Sequence, residues 1–458
     1  MRGTEIIKAT GGKALEGNLD SEIQGFSIDT RTLKPGQWFV PLKGERIDGE
    51  ELVEEALNKG AVGTFTTQEV VPEKNRDALI VKVDDNLKAL QNVALYNRLK
   101  HQPVVIGVTG SSGKTTTKDL IASVLSQRYR VLKTEGNLNT EIGLPLMLLR
   151  ITEEHDIVVL EMAMRGKGQI AFLADLALPQ WGVITNIGEA HIEMLGSLEE
   201  IARAKGELIE KLPGEGAAFL FGDDPRLIKQ GKEFSGSTYF FGEKAGNHFR
   251  LESCCFTWQG TFFRANFFGE SLLQDFFLPV PGRHHAVNAL AALGIGYMQG
   301  ITENSQLSKG LEQSEVTGGR MEVKAGTVPG TRVIDDSYNA NPASVNSALE
   351  VLAQLSASGR GIAVLGDMLE LGEWSEEAHR RAGRVAVELG ISRVIGVGKW
   401  SRYTAEEVQA KGVHAYTADN PEKAYEILQE FQLRAGDTIL VKGSRGVGLD
   451  KLVEWMVC

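Results

Sequence analysis

Short apolar runs closed by Gly, Asn or Asp alternate along this chain with segments whose apolar positions recur every three to four residues, the pattern of buried strands and amphipathic helices. The clearest run is Val104 to Val108, where Val104, Val105, Ile106 and Val108 predict a buried parallel strand that a Gly- and Ser-rich loop delivers into a helix over 114–127. Further strands are expected at 37–42, 130–133, 156–163 and 181–187, and helices at 49–59, 85–99 and 197–212, the last with Leu198, Ile201, Ala204, Leu208, Ile209 and Leu212 on one face. From Glu215 to Pro281 the pattern changes to short Phe-rich strands separated by Gly, which predicts an antiparallel extension with a packing role. PGRHHAVNALAALGIGYMQG then turns into a helix. Beyond Glu315, strands at 331–335, 362–365, 393–397 and 438–442 alternate with helices from Ala343 and over 376–389 and 421–430, as in a doubly wound sheet. The expected fold is α/β in three domains: a small α/β domain at 1–100, a central α/β domain with a mainly parallel sheet at 101–314, and a doubly wound domain at 315–458.

Length agrees, since 458 residues at roughly 150 per domain suggest about three cores. With 60 acidic against 49 basic residues and a net charge of -11, a nucleic-acid polyanion is not expected as the main ligand. The N-terminal MRGTEIIKATGG lacks the apolar core of a signal peptide, and no stretch approaches the roughly 20 apolar residues of a spanning helix. A cytoplasmic protein without membrane insertion is expected. Cys254, Cys255 and Cys458 have the spacing of neither a disulfide framework nor a metal site and read as small core or surface residues.

The candidate chemistry starts at Thr109–Thr116, TGSSGKTT. Gly110 and Gly113 let backbone N–H groups turn inward, Ser111, Ser112 and Thr116 line the loop, and the helix from Lys114 aims its positive dipole end at the same point. Lys114 would reach the β/γ-phosphates of a nucleotide and Thr115 would hold Mg²⁺. Val108 stands where the general phosphate-loop pattern has Gly. The strand DIVVLEMA closes on Glu161, placed to offer a carboxylate to that metal or to sit in a structural ion pair. His191 follows a strand end at the edge where open α/β sheets bind ligands, although a lone His is commonly structural. Periodicity does not single out Lys205, and Asn288 in the first turns of its helix fits a polar face equally well. Asp29, Thr30 and Arg31, and the loop of Lys43, Gly44 and Glu45, could touch a ligand or simply make turns. Asp336 at a strand end is a ligand or a structural carboxylate.

Taken together, TGSSGKTT, the strand ending in Glu161, TNIGEAHIE, ARAKGE, PGRHHAVNALAA, GGRME and IDDSYNANP resemble the Mur ligase family over nearly the whole chain. Within it, GNLNTEIGLP, EMAMRGKGQI, DDSYNANPAS, LGDMLELGE and VKGSRG look like the member that adds D-alanyl-D-alanine to UDP-N-acetylmuramoyl-tripeptide. The resemblance implies an N-terminal domain that grips the UDP sugar, a central ATPase-like domain and a C-terminal Rossmann-like domain that closes over ATP. A monomer is expected. The resemblance further implies that Glu161 and His191 serve a second Mg²⁺, that Lys205 carries a carbamate, and that Asn288 meets adenine, with His285 standing where the family commonly has Asn. Arg320 would meet the γ-phosphate and Asp336 the ribose. Asp29, Thr30, Arg31, Lys43, Asn137, Asn139 and Thr140 would bind the UDP-linked substrate, and Tyr338, Asn339, Asn341, Asp367 and Arg445 would face the dipeptide. A sister ligase adding diaminopimelate or lysine, a folylpolyglutamate-synthetase-like ligase and a nucleotide-binding scaffold without turnover are the alternatives.

Overall fold

A computed structural model describes residues 1–44, 47–69, 77–269 and 273–457. Glu45 of the candidate ligand loop and the terminal Cys458 lie outside the described residues. Three sheets, of five, nine and six strands, organise the chain, which divides into two compact units.

The first unit comprises Met1–Gly107, Arg130–Ala163 and Ala171–Pro179. Its five-stranded sheet runs in the order 13–16, 79–82, 63–66, 37–39, 25–27, parallel except for the first strand. Trp38, Phe65, Leu79, Val81, Leu90 and Val93 fill the core on one face, so the alternation of the strands and the inner stripe of helix Asn86–Lys100 converge on one apolar layer. Asp85 caps that helix by accepting a hydrogen bond from Lys88 N. The expected helix over 49–59 is a 3₁₀ turn, Gly49–Leu52, running into the short helix Val53–Asn58. Strand Ile157–Glu161, buried throughout, pairs in parallel with Val131–Lys133.

The second unit comprises Val108–Tyr129, Met164–Ile170 and Gln180–Cys458. Here the expected antiparallel extension needs correction. Strands Ala217–Phe221 and Ser237–Gly242 pair in parallel with each other, and the first also pairs in parallel with Trp181–Ile184. Antiparallel pairing is confined, among the described residues of this stretch, to Phe249–Thr257, Gly260–Phe267 and Leu273–Leu278. The crossover between the two parallel strands is helix Pro225–Glu233, which the apolar pattern alone does not reveal. Its start is signalled by Asp224 as N-cap and Pro225 in the first turn.

The six-stranded sheet has the order 322–325, 332–336, 438–442, 361–366, 393–397, 414–418, with only the first strand antiparallel. Val333, Ile362, Val364, Ile395, Ile439 and Val441 build its core with Leu428, Leu452 and Met456 from the helices. Helix Ser401–Ala410 and strand His414–Ala418 complete the expected alternation. Because the strands run in parallel, Asp336, Gly366 and Lys442 end at one edge, the edge where such sheets bind ligands.

Candidate active site

Strand Val104–Thr109 ends in the phosphate-loop segment, and helix Lys114–Leu125 begins directly after it. Gly110 has φ +152°, and a Cβ there would lie 1.8 Å from Thr185 Oγ1. Gly113 caps the helix at φ +76°, where a Cβ would meet the Asn288 amide at 2.9 Å. Both glycines therefore permit a close approach that any side chain would block. Asn186 and Gly188 clamp the loop from the neighbouring strand end. Ser111 N donates to Asn186 O (3.1 Å), Ser112 N to Asn186 Oδ1 (3.0 Å), and Asn186 Nδ2 to Ser112 O (3.1 Å). Ser111 Oγ donates to Gly188 O (2.9 Å) and accepts from Gly188 N (2.8 Å). Thr185 and Asn186, which hold the loop in shape, are not singled out by the sequence, although both lie in the TNIGEAHIE motif.

Two lysines converge on this loop. Lys114 Nζ donates to Gly110 O at 2.8 Å, and Lys205 Nζ, from helix Leu198–Glu210, donates to the same oxygen at 3.0 Å. Lys205 is 1% exposed. Burial, reinforced by the charge of Lys114, pushes its amine well below the ordinary lysine range, toward the uncharged form. His191 sits in the left-handed region at φ +63° with Nδ1 2.5 Å from Glu370 Oε2. Burial lowers the imidazole pKa; Glu370 opposes this, while Lys114 and Lys205 add to it. Asn288 is buried beside Gly113, and Thr115 and Thr116 are buried in the first helical turn.

At the edge of the six-stranded sheet Lys442 Nζ donates to Asp336 Oδ2 at 2.6 Å and to Asn339 O at 3.0 Å, and Met321 N donates to Asp336 Oδ1. Burial raises the Asp336 pKa against the pull of Lys442 and Arg320. The Arg320 guanidinium stacks on Tyr338 at 4.1 Å, and that of Arg445 lies 5.8 Å from the same ring, so Tyr338 gathers two cations. Lys442 escapes a reading of the sequence although it ends an apolar strand within VKGSRG. His285 is 4% exposed, with neither ring nitrogen hydrogen-bonded among the described residues, and burial holds it well below the usual histidine pKa; the neighbouring His284 is held down to about 4 by the same cause.

Other expected residues have structural partners. Asp367 accepts from Lys399 N, Trp400 N, Ser401 N and Ser401 Oγ at 2.7–2.9 Å, tying down the start of helix Ser401–Ala410. Asn341 caps helix Pro342–Leu355 through Ser344, and Asn339 Oδ1 accepts from Ala340 N.

In the first unit, Glu161 is 4% exposed and accepts from Asn139 Nδ2 at 2.8 Å, while its N–H donates to Thr134 Oγ1. Asn139 N donates to Asn137 O, and Leu144 N to Thr140 O, so these three belong to one folded loop. Asp29 takes Arg31 N and Nε at 2.9 Å each, which pulls its carboxyl down to about 2, and Thr30 O accepts from Lys59 Nζ. Lys43 pairs with Asp48 in an isolated β-bridge. Among the described residues no three His, Cys, Asp or Glu side chains group as a metal site, and no helix is long and apolar enough to cross a membrane.

Family models match at residues 22–98 (Mur ligase family, catalytic domain), 108–296 (Mur ligase middle domain) and 319–445 (Mur ligase, glutamate ligase domain). The UDP-N-acetylmuramoyl-tripeptide–D-alanyl-D-alanine ligase of Bacillus subtilis is 40% identical, over 95% of this chain and 93% of that protein. The crystal structure of MurF from Acinetobacter baumannii superposes with a TM-score of 0.87 at 29% identity, covering 99% of this chain and 98% of the other. MurF of Thermotoga maritima in complex with ADP does so with a TM-score of 0.82 at 30% identity, covering 95% and 97%. With these matches spanning the phosphate loop, the paired lysines and the sheet edge of Asp336, this chain belongs to the Mur ligase family.

Proposed function

We infer that this chain is an ADP-forming ligase that uses ATP to join D-alanyl-D-alanine to the terminal carboxylate of UDP-N-acetylmuramoyl-tripeptide, giving the pentapeptide precursor of peptidoglycan. The observation that carries this reading is the 40% identity, across 95% of the chain, to a ligase of that name. The site geometry supports the chemistry. A carboxylate is a poor electrophile, so the tripeptide carboxylate first takes the γ-phosphoryl group to form an acyl phosphate and ADP. The amine of the dipeptide then attacks the acyl carbon, and phosphate leaves. Lys114 at the phosphate loop and Arg320 at the edge of the six-stranded sheet meet the charge that gathers on the transferring group, where catalysis is mostly positioning and electrostatics. Thr109 to Thr116 cradle the phosphates, Asn288 borders the nucleotide, and Asp336 serves the ribose.

Magnesium fits the donor chemistry. The Thr115 hydroxyl and the buried Glu161 carboxylate are hard oxygen donors, and this ion takes one or two such groups plus substrate phosphates rather than an all-protein cage. Thr115 is assigned to the first ion, and Glu161 with His191 to the second. Bound magnesium would neutralise phosphate charge. Lys205 is suited to carry a carbamate because only a neutral amine attacks CO₂, and its burial beside Lys114 favours that form. Converting it to an anion would also turn its repulsion of Lys114 into attraction.

Three functional parts are assigned, 1–100 for the UDP sugar, 101–314 for ATP and 315–458 for closure and the dipeptide; family models that match at 22–98, 108–296 and 319–445 support a division into three. On this reading Asp29, Thr30, Arg31, Lys43, Asn137, Asn139 and Thr140 serve the UDP-linked substrate. Tyr338, Asn339 and Arg445 serve the dipeptide, with Asn341 and Asp367 shaping that edge. The chain acts as a cytoplasmic monomer. Phosphate release from ATP, measured with UDP-N-acetylmuramoyl-tripeptide with and without D-alanyl-D-alanine, tests the reaction. Release that needs both and yields pentapeptide is expected. Release with diaminopimelate or lysine instead would move the chain to a sister ligase, and release independent of the UDP-linked peptide would overturn the reading.

A further inference from the structure

The loop after strand Gly361–Gly366 is held at each of its first residues. Asp367 is tied into the start of helix Ser401–Ala410, Met368 N donates to His379 Nε2 at 3.0 Å, and Leu369 N donates to Ser444 Oγ at 3.0 Å. His379 is fixed in turn, with Nδ1 2.6 Å from Ser375 O. On this mount Glu370 is forced to φ +62°, and the residue it meets, His191, is at φ +63°. Non-glycine residues in that region are strained and persist where the surroundings over-determine them, often at working sites. Here two such residues point at each other, with His191 Nδ1 2.5 Å from Glu370 Oε2. Beside that contact Arg381, from the following helix Ser375–Glu388, pairs with Glu189, and Glu193 N donates to Glu370 O at 3.5 Å. Nδ1 makes no aligned hydrogen bond among the described residues, and a small turn of the ring brings its N–H onto the neighbouring carboxylate.

We propose that Glu370 is a positioning residue for His191: its carboxylate holds the proton on Nδ1 and leaves Nε2 as the free lone pair facing the reaction centre. The proposal rests on the reading of the chain as a ligase in which His191 serves that centre. A partner on one ring nitrogen decides which nitrogen carries the proton. Because Glu370 comes from the loop beside the dipeptide edge, and His191 from beside the phosphate loop, the imidazole is set correctly only when loop 367–372 is docked. An acyl phosphate would then form only at a centre also prepared for the amine.

The test compares the parent with Glu370→Ala and Glu370→Gln by steady-state kinetics and by ¹⁵N NMR of histidine-labelled protein. Loss of such an outer partner typically costs about 10–100-fold, so E370A should lose that much kcat while KM for ATP changes less than about threefold. E370Q, whose amide oxygen still accepts from Nδ1–H, should recover most of the loss. The His191 nitrogens should report the Nδ1–H form in the parent and in E370Q, and the Nε2–H form or a mixture in E370A. Parental kcat in E370A, an unchanged tautomer, or equal losses in both variants with no recovery by Gln would overturn the proposal. If the parent itself makes no pentapeptide, the ligase reading fails, while the tautomer comparison still decides whether Glu370 sets the ring.

Discussion

Gly110→Ala attacks the phosphate loop at its tightest point. The new Cβ would lie 1.8 Å from Thr185 Oγ1 and 3.1 Å from Thr185 Cβ, on a backbone at φ +152°. The backbone conformation alone costs a side-chain-bearing residue about 1–3 kcal/mol. Overpacking a close-packed site adds about 1–3 kcal/mol, for a total of about 2–6 kcal/mol. Thr185 cannot simply rotate away, because Oγ1 donates to Ser112 O at 2.5 Å and so helps to hold the loop. Thr185→Ala by itself should cost about 1 kcal/mol, the net worth of one hydrogen bond whose acceptor keeps its second partner, Asn186 Nδ2. The clash and the backbone cost can be separated by making both changes together. In the double variant the 1.8 Å clash with Oγ1 disappears, while the 3.1 Å approach to the Cβ of residue 185 and the φ cost remain, so the two substitutions should be less than additive by about 1–3 kcal/mol. Calorimetric unfolding of the four proteins gives the cycle, and ADP titration gives its effect on the loop: G110A should weaken ADP, and T185A should partly restore it in the double variant. Strict additivity, or a G110A protein as stable and as tight for ADP as the parent, would refute the claim that Thr185 and Gly110 are fitted to one another.

Lys205→Ala should abolish ligation while leaving unfolding within about 1–2 kcal/mol of the parent, since a buried amine and its bond to Gly110 O are removed together. Short carboxylic acids should partly restore turnover by filling the vacated anion position, and an alanine variant that ligates at the parental rate would rule out the carbamate. Acid sensitivity should follow His284 and His285, which are neutral in the fold. Their folded pKa values lie below the unfolded value of about 6.5, so the unfolded chain binds more protons, and stability should be flat above that pH and fall below it toward about 4. Each contributes up to about 1.4 kcal/mol per pH unit. His285→Asn should flatten the slope of urea-unfolding free energy between about pH 6.5 and 5, and an identical slope in parent and variant would show that His285 does not titrate on unfolding.

Local chemistry is legible in the sequence wherever one short segment carries it. The strand 104–109, its glycines and the helix from Lys114 are neighbours in the chain, so apolar run, turn residues and dipole can be read together. Strands 393–397 and 438–442 and helix 421–430 fall where the apolar pattern places them. Asp336 likewise stands at the end of its own strand. Periodicity, by contrast, says which face of an element is buried and nothing about what that face meets. It cannot separate parallel from antiparallel strands between Glu215 and Pro281, because a short apolar run suits either. Helix Ser401–Ala410 and strand His414–Ala418 are also too weakly patterned to stand out. The partnerships that make the site come from remote positions: Lys205 and Gly110 are 95 residues apart, Asp336 and Lys442 106. Lys205 becomes a candidate only through the family resemblance, and Lys442, Asn186 and Glu370 through no sequence signal of their own. What the chain encodes locally is a phosphate loop and a set of strand ends. Which lysine is stripped of its charge, which histidine faces a carboxylate and which carboxylate is occupied by helix capping depend on desolvation and contact, and those exist only once the sheets have packed.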